Sequence, residues 1–74
     1  MVLTDGTRRL ELDENQVEHV YDALWREGLT LRGAVSAASR IKYAQRMARF
    51  DSSQELALSE DELAAVDTVL HRGH

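Results

Sequence analysis

Four cations follow one another along a single stretch of the chain, Arg40, Lys42, Arg46 and Arg49, with Tyr43 set among them. Guanidinium and ammonium groups interleaved with a phenol suit contacts to phosphate, which supply much of the affinity of proteins for DNA. The same cations would serve equally to neutralise carboxylates elsewhere in the chain. Residues 1–25 carry a net charge of −4, residues 26–50 of +5 and residues 51–74 of −5, within a total of −4 for the 74 residues. A basic centre between acidic ends fits intramolecular complementarity, a nucleic-acid-facing centre, or both.

Catalytic chemistry has little to stand on. The chain has no Gly-rich phosphate loop, no Gly-x-Ser-x-Gly elbow and no paired His-Glu helix motif. His19 sits beside an apolar helical stripe, and His71 and His74 straddle a helix end and a tail, so no metal site is expected. Glu60-Asp61-Glu62 lies where a helix dipole favours carboxylates, with cation binding or nucleic-acid mimicry as the alternative. The absence of Cys excludes disulfides and thiolate zinc sites. The expectation is therefore no enzyme, no metal and no cofactor. The apolar runs fall well short of the roughly 20 residues that span a bilayer. No charged leader precedes an apolar stretch, so no membrane partner and a cytoplasmic location are expected.

The elements that must position these residues are legible from spacing. Val2–Thr4, Asp5-Gly6 and Thr7–Leu12 read as a hairpin with a two-residue type I′ turn. Thr4 would then lie opposite Thr7, with Met1, Leu3, Leu10 and Leu12 on one face and Arg9 and Glu11 on the other. A loose tail ahead of a lone strand is the alternative. Asp13 and Gln16 form a capping box, and Leu12 and Val17 a hydrophobic staple, for a helix over about 14–27. Val17, Val20, Tyr21, Leu24 and Trp25 form its buried stripe, and Gly28 suits a left-handed C′ position.

Thr30 caps a second helix over about 30–50. Ala34, Ala37, Ala38, Ile41, Ala44 and Ala48 share one arc of it, and Tyr43, Met47 and Phe50 a second, flanked by Arg32 and Arg40. Two apolar arcs predict a central helix covered on two sides. Residues 51–58 read as a linker. Ser59 and Glu62 form a second capping box, with Leu58 and Leu63 as staple, for a helix over about 60–71 bearing Leu63, Val66, Val69 and Leu70. Leu56–Leu70 matches Leu10–Leu24 in its Leu-x-Leu start, either a weak repeat or one way of starting a helix used twice. The expected fold is a single α+β domain, mainly helical: strand or hairpin over 1–12, a helix pair over 13–50, the linker, and a C-terminal helix within 59–74. A domain this small buries only about 60% of its unfolded surface, so either its helices pack unusually well or a second copy completes the core, and a homodimer is expected.

The segment Arg9 to Ala38 resembles the ribbon-helix-helix DNA-binding proteins, the CopG-like repressors and many antitoxins. The features that carry the likeness are Leu10-x-Leu12, Asp13 at the cap, Val17 and Val20, Gly28-Leu29-Thr30 at the turn, and Val35 with Ala38. The resemblance implies a homodimer whose two strands, one from each chain, enter the major groove. Thr7, Arg9 and Glu11 would then read bases, while Thr30 and Arg32 at the start of the second helix meet phosphate. Gly28-Leu29-Thr30 followed by Arg32-Gly33-Ala34-Val35 is also similar to a helix-turn-helix. A hairpin closed at Asp5-Gly6 would occupy the strand edge that the family gives to its twin, so pairing within and between chains are alternatives here. The expected function is a small dimeric DNA-binding regulator or antitoxin-like autoregulator of phage or plasmid type. Its DNA contacts would come from Thr7, Arg9, Glu11, Thr30, Arg32, Arg40, Lys42, Arg46 and Arg49. The alternative is an interaction module or inhibitor that binds a partner protein, without DNA, through its acidic C-terminal helix.

Overall fold

The computed structural model describes residues 1–47 and 53–72. Six elements follow in order: β1 (Val2–Thr4), β2 (Arg9–Glu11), α1 (Glu14–Arg26), α2 (Ala34–Met47), β3 (Glu55–Ala57) and α3 (Glu60–Arg72). The fold is α+β and mainly helical, a short sheet covered on one face by three helices.

β1 is the central strand of the order β2-β1-β3, antiparallel to β2 and parallel to β3. The register places Leu3 opposite Leu10 on one side and Leu56 on the other, so one leucine from each strand forms a row facing the helices. The hairpin pairing extends one residue beyond the strands, since Leu12 N donates to Met1 O at 2.8 Å and Met1 N to Leu12 O at 2.9 Å. On β1's other side Val2 N donates to Gln54 O at 2.6 Å and Leu58 N to Thr4 O at 2.8 Å.

The hairpin forms as expected. Of the two pairings left open for the strand ahead of Asp13 it is the one within the molecule, with β1 along one edge of it. Two other expectations are corrected. Thr4 lies opposite Arg9 rather than Thr7, which leaves a loop of Asp5, Gly6, Thr7 and Arg8. The Asp5 carboxylate gathers that loop, accepting from Thr7 N and Arg8 N at 2.8 Å each and from Thr7 Oγ1 at 3.0 Å. Only Gly6 there has a positive φ, +94°, so the turn is not type I′. The shift of two residues preserves which side chains face the core. Finally, the predicted linker contains β3. Its three residues, Glu-Leu-Ala, include no β-branched side chain to mark them as a strand.

α1 begins as expected: Asp13 Oδ1 accepts from Gln16 N at 2.8 Å, and Gln16 Oε1 from Asp13 N at 2.9 Å. Val17, Val20 and Leu24 are fully buried. Gly28, however, has no positive φ. Its lack of a side chain serves packing instead, because a Cβ there would sit 2.9 Å from Val35 Cγ2.

Residues 27–33 are turns rather than helix, so α2 starts at Ala34 and not at Thr30. Thr30 caps nothing; its hydroxyl donates back to Glu27 O at 3.3 Å. The change of direction falls at Gly33, whose φ is +81° and whose carbonyl accepts from Ala37 N at 2.9 Å. The alanine arc of α2 is buried as predicted, at Ala34, Ala37, Ala38, Ile41 and Ala44. These small residues let both α1 and α3 pack on that single arc. The second arc is therefore left uncovered at Tyr43 and Met47, contrary to the expectation of a helix covered on two sides. Ala48, Arg49 and Phe50 lie outside the described residues.

α3 is capped as expected, with Glu62 N donating to Ser59 Oγ at 3.2 Å and Ser59 N to Glu62 Oε1 at 2.7 Å. It docks by Leu63, Ala65, Val66 and Val69. Among the described residues, no helix is long and apolar enough to cross a membrane.

Candidate interaction surface

Two cations of the basic centre, Arg32 and Arg40, are committed inside the molecule. Arg40 Nε donates to Glu62 Oε2 at 2.9 Å, and Arg32 lies 3.2 Å from Asp61. Both carboxylates open α3, where the dipole also favours them. Arg8 reaches Asp67 on α3 at 3.8 Å, and Arg72 at the end of α3 bonds Glu27. The acids of the C-terminal helix thus face the basic middle of the same chain.

Glu62 is the hub of this set. Its side chain is only 5% exposed, and it holds the cap of α3 and the guanidinium of α2 together. Burial pushes its carboxyl upward. The Ser59 backbone N–H, the Ser36 and Ser59 hydroxyls and the Arg40 guanidinium outweigh that and hold it below its ordinary 4.5.

The predicted DNA-contact residues fall in separate places. Thr7, Arg9 and Glu11 belong to the hairpin and are exposed, with Arg9 reaching across β1 to Glu55 at 3.6 Å on the sheet face turned away from the helices. Thr30 and Arg32 lie in the loop before α2. Lys42 sits over the Tyr21 ring, 5.2 Å from its centroid. Arg46 is exposed and makes no ion pair with any described residue. Arg49 lies outside the described residues. The core separates the strand residues from the exposed face of α2, so the structure does not join them into one surface.

The large apolar side chains that stay exposed lie on α1, on α2 and on the loop between them. Leu29 is 102% exposed, Met47 68%, Tyr43 66%, Trp25 48% and Val35 42%. Trp25 meets Tyr21 edge to face, with centroids 6.3 Å apart at 79°. Gly28 then carries the chain past Val35. Val35, Ser39, Tyr43 and Met47 follow at intervals of four residues, so they form one row along α2. The row continues a shallow concavity of about 930 Å³ between loop 28–33 and the first turns of α2.

Sequence reasoning placed Trp25 in a buried stripe and Tyr43 and Met47 under a neighbour. The signal available was that four-residue spacing, with Lys42 and Arg46 beside it rather than opposite it. Among the described residues, no group of His, Cys, Asp or Glu is placed to hold a metal ion. Comparison with protein-family models, curated proteins and solved structures returned no match.

Proposed function

We propose that the chain is a small protein-interaction module whose recognition surface is the outer face of α2 with the loop before it. The observation that carries this reading is the exposure of Leu29 on the loop and of Val35, Tyr43 and Met47 on α2, the last three set, with Ser39, at intervals of four residues. Scattered exposed apolar residues are ordinary, but an aligned set beside a concavity is the usual mark of a docking site. Phosphate recognition fits less well, because Arg9, Arg32 and Arg40 each answer a carboxylate of the same chain.

The DNA-binding homodimer stands second and keeps one observation on its side. β2 is an edge strand, and a twin added along its free edge would bring two copies of Arg9 and Glu11 onto one face. It would do so with Arg9 already engaged by Glu55.

A two-hybrid screen of fragments from the source genome tests the choice. Interacting fragments are expected to be lost on Tyr43→Ser and Leu29→Ser and kept on Arg9→Ala. The reading is overturned if duplex DNA is retained at low salt, released as salt rises and weakened by Arg9→Ala, while no fragment depends on Tyr43.

A further inference from the structure

We infer that Asp5-Gly6 is a site of spontaneous backbone modification, the conversion of aspartate to isoaspartate, and that the folded hairpin holds this site closed. The inference goes beyond the interaction-module reading and does not depend on it.

The reactive pair comes from the turn itself. Gly6 has a φ of +94°, a conformation that a residue bearing a Cβ adopts only at a cost. The loop thus selects the residue whose backbone nitrogen is least shielded by a side chain of its own. In an open segment that nitrogen attacks the carboxyl carbon of the preceding aspartate. A bond forms between Gly6 N and Asp5 Cγ, and the amide hydrogen leaves with the carboxyl hydroxyl as water. The product is a five-membered succinimide. Water then adds to one of the two ring carbonyls. Cleavage of the new Cγ–N bond restores aspartate, whereas cleavage between Asp5 C and Gly6 N leaves the main chain running through Cγ as isoaspartate. Ring opening takes up the water that ring closure released, so no oxidant or other reactant enters.

The folded loop engages both reacting groups. The Asp5 side chain is only 5% exposed, and its Oδ1 accepts from Thr7 N and Arg8 N at 2.8 Å each and from Thr7 Oγ1 at 3.0 Å. Arg8 Nε lies 4.0 Å from Oδ2. These groups favour the ionised carboxylate, while the departing oxygen must carry a proton. The nucleophile is held as well, since Gly6 N donates to Thr4 Oγ1 at 3.1 Å. The pairing of Thr4 with Arg9 fixes the two ends of the loop. Ring closure therefore requires the carboxylate to leave three donors and the amide to leave the Thr4 hydroxyl. A chain modified while open carries one extra carbon in its main chain at this turn, and its carboxylate no longer reaches Thr7 N and Arg8 N in the same way. It refolds to a less stable hairpin.

The test compares the full chain, folded in buffer near neutral pH, with a synthetic peptide of residues 1–8. Trypsin releases the same segment from the protein by cutting after Arg8, and chromatography separates the aspartate and isoaspartate forms. Isoaspartate should accumulate at least about tenfold more slowly in the folded chain than in the peptide. Thr4→Val keeps a β-branched residue in β1 while removing the hydroxyl. It should narrow that gap in the folded chain and leave the rate of the peptide unchanged, with circular dichroism confirming the fold. Equal rates in chain and peptide overturn the closed loop, a result that does not depend on how the variant folds. A peptide that forms no isoaspartate removes the site. A folded Thr4→Val chain that reacts no faster than the unaltered one overturns the hold on Gly6 N.

Discussion

Replacing Gly33 by Ala should destabilise the fold by about 2–4 kcal/mol, while Gly6→Ala should cost only about 1–2 kcal/mol. Both glycines have positive φ, +81° and +94°, so both substitutions carry the steric penalty of a left-handed L-residue. They differ in surroundings. A Cβ on Gly6 meets nothing within 4 Å, whereas one on Gly33 meets Asp61 C and O at 3.0 Å and Glu62 N at 3.2 Å. Those are backbone atoms of the first turn of α3, which cannot step aside like the end of a side chain. The difference between the two variants, read by urea denaturation, therefore isolates how closely α3 seats on the turn before α2. Equal losses at the two positions would show that α3 does not approach there.

Glu62→Gln should cost about 2 kcal/mol near neutral pH, the typical worth of hydrogen bonds to an ionised partner. The substitution preserves size but removes the charge that Arg40 and the Ser59 N–H share. The pH dependence has a definite sign. Folding lowers the Glu62 pKa below its ordinary 4.5, so the folded state favours the ionised form. The stability this adds is fully present above the unfolded value and is lost as pH falls through the folded one. The gap between the unaltered chain and Glu62→Gln should hold at neutral pH and close as pH falls below 4.5. Asp5 is also lowered, chiefly by the Arg8 and Thr7 backbone N–H groups. It is common to both proteins and cancels from the difference. A gap that widens on acidification would contradict the assignment of Glu62 as an ionised hub.

Local chemistry was the readable part of this chain. The two capping boxes, Asp13 with Gln16 and Ser59 with Glu62, form as their spacing implies, because every partner lies within four residues. The alanine arc of α2 is also buried as periodicity demands. The misreadings arise where one short segment decides an outcome at a distance. Gly33 delays α2 because its left-handed φ turns the chain at the loop's end, where Thr30 alone looked like a cap. β3 is a strand only because β1 lies beside it. Tyr43 and Met47 are uncovered because alanines bring both neighbouring helices onto one side. Of the candidate contact residues, Arg32 and Arg40 were recognisable as cations on α2 and its approach. Their partners on α3, some 20–30 positions away in sequence, depend on how the helices pack.

Recognition passes from the strand to α2 only if β2 takes β1 of its own chain as partner. An isotope-filtered NOE experiment on a mixture of labelled and unlabelled protein reads this directly. Cross-strand contacts between Leu3 and Leu10 and between Met1 and Leu12 should appear entirely within single molecules, at every concentration. The same contacts arising between labelled and unlabelled chains would place the strand in a twin and return the protein to the DNA-binding ribbon.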